Sequence, residues 1–381
     1  MCNLKLRFPF TTVVTTWKWY PLQRPIIAAI FVSVFVVGCT RQSKSGQVAD
    51  KIAPSASSVE KAETQDFVAG QTLVIDVASN SEIGGVVRSI FQDSSGILWI
   101  GGEGDLFRND GEVLTSYDLK DDLGNGVTIK CILEDKAGNI WCGTTGGITR
   151  IDGKSFASFG EKDGLISRDV WSMAVDNNGM IWIGTIEGVC QFDGKTFTAF
   201  AVPEAKPDDT RGVTSGKIVH CITVDRDGRV WFGTNGGAYI YDGEALANLS
   251  EKDGLPNDVV HNIVEDKAGN IWLGTTHNGI CRFDGKEFRN FTEEGVVDGK
   301  EIWCLHVDRS GKVWFSGKHF GVYRYDGNEF ANFDEKDGMA SPGLMSILED
   351  NKGRFWLGGV QGLFRYDGQS FVRVTKNGPW Q

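Results

Sequence analysis

The chain has 381 residues, of which 41% are hydrophobic and 23% are charged, with 49 Gly and 9 Pro. This composition excludes a collagen-like or wholly disordered chain, and the 12 Trp and 23 Phe can form a large core. The net charge is −11, and setting aside the four bases of residues 1–38, which include no acid, leaves −15 for the remainder. So acidic a surface argues against non-specific nucleic-acid binding, and we expect no nucleic-acid partner.

Residues 1–38 have the pattern of a signal peptide. Basic residues precede an apolar run, Ile26 to Val37, that is too short for a comfortable membrane span. The run ends in VVGC, which resembles a bacterial lipobox with Cys39 as the lipidated residue. We therefore expect a bacterial envelope protein that touches the membrane only through its lipid, and the alternative is an uncleaved anchor helix. Thr40 rather than Asp after the cysteine predicts sorting to the outer membrane, facing the periplasm or the exterior.

Residues 39–70 are rich in Ser, Ala, Lys, Glu and Gln and nearly lack aromatic residues. A segment of this kind cannot bury enough apolar surface to offset the entropy of ordering it. The composition predicts a flexible tether, followed by a folded domain over residues 71–381.

The folded domain contains one pattern seven times, Asp-x-x-Gly-x-x-Trp-x-Gly, with Ser316 replacing the last Gly of the sixth copy. Successive Trp residues are 41 to 49 positions apart, which is typical of a repeat architecture. In each copy, Asp-x-x-Gly and Asp-Gly predict turns between short strands. Four strands per copy predict an all-β, seven-bladed β-propeller with four antiparallel strands per blade. Either residues 72–78 or residues 371–374 can supply the strand that closes the ring.

The recurring tryptophans are predicted to be structural, because a side chain that recurs in every repeat serves the scaffold. We expect these tryptophans to fill the space between neighbouring blades. They are Trp99, Trp141, Trp182, Trp231, Trp272, Trp314 and Trp356.

The repeats resemble those of the two-component regulator propeller family. The segment Gly254 to Thr275, GLPNDVVHNIVEDKAGNIWLGT, carries the resemblance most clearly. In that family the propeller is usually the periplasmic sensor of a hybrid histidine kinase. Only ten residues follow Phe371 here. The resemblance therefore implies a free-standing sensing or binding propeller without kinase activity of its own.

Positions that break the repeat are candidates for function. One column of the first strands, five residues before each turn Asp, is large, polar or aromatic, and has no common packing pattern. Its members are Arg88, Lys130, Trp171, His220, His261, Trp303 and Met345. We expect this column to line the mouth of the central channel on the top face. The Gly-rich loops of blades five and six add His277, Lys318, His319 and Phe320 on that face, near an insertion at Val202 to Ser215.

These residues form a predicted ligand site in which aromatic faces stack on a ligand while His and Lys donate hydrogen bonds. The expected partner is a small ligand or an envelope protein of a signalling system, and the family's role in polysaccharide sensing points to a glycan. The alternatives are ordinary exposed residues, a pure interaction scaffold, or a metal-dependent lyase or hydrolase similar to virginiamycin B lyase. We assign no catalytic residue and expect no cofactor, with a bound divalent metal as the alternative that the histidines leave open.

Three further sets of residues are predicted to be structural. The six cysteines of the repeats are expected to be small buried side chains without disulfides. An Arg column on the third strands is expected to support the scaffold. Three acidic EKDG loops are expected to form solvated turns. The cysteines are Cys131, Cys142, Cys190, Cys221, Cys281 and Cys304.

Overall fold

The computed structural model describes residues 51–52, 70–71, 75–76, 83, 85–153, 155–208, 210, 215–319, 321–339 and 341–380. The predicted signal peptide, the predicted lipidation site Cys39 and most of the predicted tether lie outside the described residues. Over the described ranges, no helix has the length and hydropathy needed to cross a membrane.

Seven antiparallel sheets, or blades, form from the described residues, and each contains four consecutive strands. The predicted seven-bladed, all-β propeller is confirmed. The first strands are Val87–Gln92, Ile129–Glu134, Val170–Val175, Val219–Val224, Val260–Glu265, Ile302–Val307 and Leu344–Glu349. The second strands are Leu98–Gly102, Ile140–Thr144, Ile181–Thr185, Val230–Thr234, Ile271–Thr275, Val313–Gly317 and Phe355–Gly359. Each first strand packs against the first strand of the next blade, and the seventh packs against the first.

The third and fourth strands complete each blade towards its outer edge. The third strands are Asp105–Asn109, Gly147–Ile151, Gly188–Phe192, Gly237–Tyr241, Ile280–Phe283, Val322–Tyr325 and Gly362–Tyr366. The fourth strands are Leu114–Asp118, Phe156–Phe159, Phe197–Phe200, Leu246–Leu249, Phe288–Asn290, Phe330–Phe333 and Phe371–Val374. The three EKDG loops are single exposed 3-10 turns, Glu161–Asp163, Glu251–Asp253 and Glu335–Asp337, each ended by a left-handed Gly.

The structure distinguishes the two candidates for ring closure. Phe371–Val374 is the fourth strand of blade seven, so that this blade is built entirely from its own repeat. Ile75–Asp76 instead adds a fifth strand to blade one. Two more short strands, Gly70–Gln71 and Lys51–Ile52, pair in the same way with the outer edges of blades two and four.

Each repeat is held by a hydrogen bond between its turn Asp and its Trp. In blade five, Trp272 Nε1 donates to Asp266 Oδ2 at 2.9 Å, and Asp266 Oδ1 accepts the backbone N–H groups of Ala268 and Asn270. The same indole–carboxylate bond occurs in all seven blades, at 2.7 to 3.1 Å. Because the bond satisfies the only polar atom of the indole, the ring can be buried without a desolvation penalty for an unpaired donor.

The seven tryptophans lie in seven apolar clusters, and each cluster joins one blade to the next. Trp272, for example, packs with Ile302 and Phe315 of blade six. Trp356 packs with Val87 and Ile100 of blade one, which closes the ring. The predicted position of the tryptophans between neighbouring blades is confirmed. The Arg column also has a structural role, because its members lie opposite Trp residues in the strand register, and the Arg150 guanidinium lies 5.8 Å from the ring centre of Trp141. The members are Arg108, Arg150, Arg282, Arg324 and Arg365.

Close approach of neighbouring blades explains the Gly that follows six of the seven Trp residues by two positions. A Cβ on Gly358 would overlap the side chain of Val87, and one on Gly274 would lie 2.6 Å from Ile302 Cγ2. Hydrogen bonds also cross the contact between blades seven and one, which is called the last seam. They run from Ile90 N to Ser346 Oγ at 3.0 Å and from Asn351 N to the Gln92 side chain. The ring is therefore closed by side chains, not by a strand shared between the two ends of the domain.

The last seam uses one aromatic ring from outside the repeat. In blades two, three, five and six, the Trp contacts one ring in, or directly after, its own fourth strand and one ring of the next third strand. The equivalent positions around Trp356 are Val374 and Asn109. Trp380 fills this place, with its ring stacked on Trp356 at 5.8 Å and its carbonyl oxygen accepting a bond from Arg354.

Replacing Asp266 by Asn should weaken the fold by about 1–3 kcal/mol, because one amide oxygen cannot serve both Trp272 and the backbone donors. Burial opposes ionisation of Asp266, but the bonds from Asn270 and Trp272 outweigh it and hold the pKa below its ordinary 3.8. This stabilisation is complete above pH 3.8 and is lost as the pH falls below it. Denaturant unfolding of wild type and Asp266→Asn should therefore give a difference that shrinks towards acid pH. The exposed Glu293→Gln is the control, and a constant difference at all pH values would contradict the assignment.

Trp380→Ala should lower the free energy of unfolding by about 2 kcal/mol, because a half-buried ring is removed from the seam between blades seven and one. Chemical denaturation measures the loss. The control is Val372→Ala on the exposed outer edge of blade seven, which should change stability by about 0.5 kcal/mol or less. Equal effects of the two substitutions would show that Trp380 does not close the seam.

Candidate functional site

The predicted column of variable residues lies at a β-bulge that occurs in every blade. In blade five, Val260 pairs with Thr275 and Asn262 pairs with Gly274, so that the register between the two strands skips His261. The same interruption occurs at the second residue of all seven first strands. The residues at the bulge are Arg88, Lys130, Trp171, His220, His261, Trp303 and Met345. A bulge redirects its side chain away from the ladder, which explains why this column follows no packing pattern.

All seven bulge side chains line one cavity of about 370 Å³. Since each blade contributes its innermost strand, the cavity lies at the centre of the ring. The floor is made by the small residues that follow the bulges, namely Ser89, Cys131, Ser172, Cys221, Asn262, Cys304 and Ser346. This volume falls in the range of small-molecule sites.

Four of the bulge side chains form a continuous row over blades two to five. Lys130 Nζ lies 3.7 Å from the ring centre of Trp171. The ring of Trp171 meets His220 edge to face at 5.9 Å, and His220 stacks on His261 at 4.2 Å with 25° between the ring planes. Asn235 Oδ1 lies 2.8 Å from His220 Nε2 and orients that ring. The row presents aromatic faces next to a cation.

Two acidic residues that sequence reasoning missed position the tryptophans. Asp169 stands two residues before Trp171 and accepts bonds from its Nε1 at 3.1 Å and from Lys130. Glu301 stands two residues before Trp303 and accepts from its Nε1 at 2.9 Å. Both pairs follow an acid-x-Trp pattern, in which the acid lies one residue before the first strand begins and the Trp lies on its bulge. This pattern was the available sequence signal for the two carboxylates.

Trp303 is also held from the next blade. Its ring lies against the backbone of Gly343 so closely that a Cβ at position 343 would collide with it. Its carbonyl oxygen accepts a bond of 2.8 Å from Asn262 Nδ2. The indole ring is therefore held by Glu301 and Gly343, and the backbone of Trp303 is held by Asn262.

The loop residues predicted for the site do not line the cavity. His277 instead lies beside Asp208 of the insertion, with 3.3 Å between Nε2 and Oδ2. Lys318 lies 3.8 Å from Glu301, the carboxylate that holds Trp303. His319 lines a separate groove of about 480 Å³ between blades six and seven, and Phe320 is outside the described residues. The structure thus brings together the bulge residues and separates the loop residues from them.

The protonation of the site is controlled mainly by burial. Burial lowers the pKa of Lys130, although its bond to Asp169 opposes the shift. Burial raises the pKa of Cys131, Cys221 and Cys304 on the floor to about 12, so these thiols stay protonated. All six described cysteines carry free thiols, and four of them are buried.

The donor set fits packing better than metal ligation. The two stacked imidazoles at 4.2 Å have nearly parallel planes, so their nitrogen atoms do not converge on a common point. Within the part of the chain that the structure describes, no group of three or more His, Cys, Asp or Glu is arranged around a common metal position.

The fold places the chain in the class of seven-bladed propellers, and its axis holds a cavity of ligand size. Five segments of the chain match the family model described as two component regulator propeller, over residues 81–104, 122–146, 164–187, 212–236 and 254–277. The chain therefore carries the repeats of this family, as its sequence predicts. No curated protein is a significant sequence match to this chain.

Solved structures with the same fold include extracellular domains of two hybrid two component systems from B. thetaiotaomicron. The domain of BT3049 aligns at 21% identity and a TM-score of 0.60, over 77% of this chain and 41% of its own. That of BT4673 aligns at 19% identity and a TM-score of 0.56, over 77% and 39%. The present chain thus spans about two fifths of those domains.

A catalytically inactive virginiamycin B lyase from Staphylococcus aureus, solved with quinupristin, also shares the fold. It aligns at 14% identity and a TM-score of 0.58, over 77% of this chain and 97% of its own. At such identities these comparisons show the fold alone.

Cys131, Cys221 and Cys304 should resist alkylation in the folded protein, because a pKa of about 12 leaves a thiolate fraction of about 10⁻⁴ at pH 8. Iodoacetamide treatment followed by peptide mapping checks this, with the denatured protein as the control in which all three react. Rapid labelling of Cys221 in the folded protein would contradict a closed cavity floor.

Proposed function

We propose that the protein is a non-catalytic, ligand-binding sensory module of the bacterial cell envelope, held at the membrane through a lipid on Cys39. Its ligand is a small molecule of the glycan class, bound in the central cavity. Its output partner is an envelope protein of a signalling system. The extracellular domains that share its fold and the regulator repeats that it carries support this assignment.

One observation carries the proposal: all seven blades place the side chain of a bulge in the same cavity. A scaffold repeat needs no variable residue there, yet this position holds two tryptophans, two histidines, an arginine, a lysine and a methionine. Aromatic faces with neighbouring N–H donors suit a ring-shaped, hydroxyl-bearing ligand.

The chemistry of the cavity favours binding over catalysis. The thiols of the floor are protonated, and Trp171 and Trp303 are fixed by Asp169 and Glu301. Side chains held in advance reduce the entropy cost of binding a ligand. This arrangement supports recognition of a ligand.

A thermal-shift screen of the purified full-length protein against oligosaccharides, with and without a chelator, tests the proposal. We expect at least one oligosaccharide to raise the melting temperature, and the chelator to leave this shift unchanged. The variant His261→Ala/Trp303→Ala should lose the shift. His277→Ala is the matched control, because His277 lies outside the cavity, and it should keep the shift.

Three results would count against the proposal. Unchanged ligand binding by the double variant would place the ligand elsewhere. A shift abolished by the chelator would favour the metal-dependent lyase or hydrolase. No response to any oligosaccharide would favour the interaction scaffold.

A further inference from the structure

The central cavity is lined by positive and neutral groups only. The chain has 50 acidic and 39 basic residues, yet no Asp or Glu is among the residues that line the cavity. Arg88 and Lys130 stand there on adjacent blades, followed by the imidazoles of His220 and His261. This local sorting opposes the net negative charge of the whole chain.

Acidic residues do lie nearby, but each is occupied outside the cavity lining. Glu103 accepts a bond of 3.3 Å from Arg88, on the loop beside it. Asp169 uses both oxygens, one for Lys130 and one for Trp171. These carboxylates orient the side chains that face the cavity and leave the cavity itself without a negative group.

The two cations are close enough to affect each other. The pKa of Lys130 is lowered chiefly by burial, and the charge of Arg88 lowers it further. A ligand anion between them would reduce this repulsion and restore part of the solvation that Lys130 has lost. The guanidinium of Arg88 has five donors, and its bond to Glu103 occupies one nitrogen, so it can bind an oxyanion at the same time.

We infer that the ligand is an acidic oligosaccharide, whose uronic acid carboxylate binds Arg88 and Lys130 while a sugar ring packs on Trp171. The inference rests on the proposed function and adds the charge of the ligand to it. The Lys130 ammonium covers one face of Trp171, 3.7 Å from the ring centre. A sugar whose carboxylate binds Lys130 therefore lies next to the indole and packs on the part that the ammonium leaves open. Charge-assisted hydrogen bonds to a carboxylate are stronger than neutral ones and therefore select the acid.

The test compares uronic acid trimers with their methyl esters, which keep the size and hydroxyl groups but lack the charge. Binding of galacturonate, glucuronate and mannuronate trimers to the full-length protein is measured by calorimetry. We expect at least one acid trimer to bind about tenfold or more tightly than its ester. Arg88→Gln and Lys130→Gln should each weaken the acid trimer about tenfold and change ester binding by about twofold or less.

Two controls separate charge from fold. Lys130→Arg keeps the charge and should bind the acid trimer nearly as well as wild type, whereas a merely structural lysine would show no such rescue. Arg373→Gln removes a cation from the exposed outer edge of blade seven and should change neither ligand's binding.

The outcomes distinguish this inference from the function on which it rests. Equal binding of acid and ester, or equal weakening of both by Arg88→Gln and Lys130→Gln, overturns the anionic ligand and leaves the glycan site standing. Binding of neutral oligosaccharides alone also overturns the anionic ligand and leaves the proposed glycan site unaffected. If no acidic or neutral oligosaccharide binds, the inference and the proposed function both fall.

Discussion

A single hydrogen bond, from the indole of each Trp to the carboxylate of its turn Asp, makes the rest of the propeller possible. A blade must bury its Trp against the next blade, and an indole can be buried at low cost only if its N–H has a partner. The Asp supplies that partner from within the same repeat and also holds its own turn through two backbone N–H groups. Each repeat therefore brings a preformed apolar face to its neighbour, and seven such faces close the ring.

The central cavity follows from a second repeated feature, the bulge near the start of each first strand. One residue per blade is skipped in the ladder, and its side chain lines the cavity on the axis of the ring. In each first strand, the bulge residue that faces the cavity and the small residue that packs within the scaffold are therefore neighbours in the sequence. The Cys221 side chain packs closely against Gly233 of the second strand, whereas the His220 side chain lines the cavity between Trp171 and His261.

Sequence reasoning reached the cavity lining because repeats provide an internal comparison. Residues that recur in seven copies serve the fold, and the one large column without a pattern lines the central cavity. Sequence reasoning placed the loop histidines in the same site as this column. Loops of the same face can lie far apart on a ring. His277 turned towards Asp208 of the insertion, and His319 entered a different groove. These contacts depend on loop paths that carry no repeat signal.

The amino-acid sequence by itself determined the number of blades, their strands and the tryptophans between them, because these depend on local turns and on a periodic apolar pattern. Only the tertiary structure showed that the variable column lies on bulges, that Asp169 and Glu301 fix Trp171 and Trp303, and that Trp380 fills the last seam. The last seam joins residues more than 250 positions apart, as in the bond from Ile90 to Ser346. Contacts of that kind arise when the ring closes, since no local pattern in the chain specifies which distant side chains will then meet.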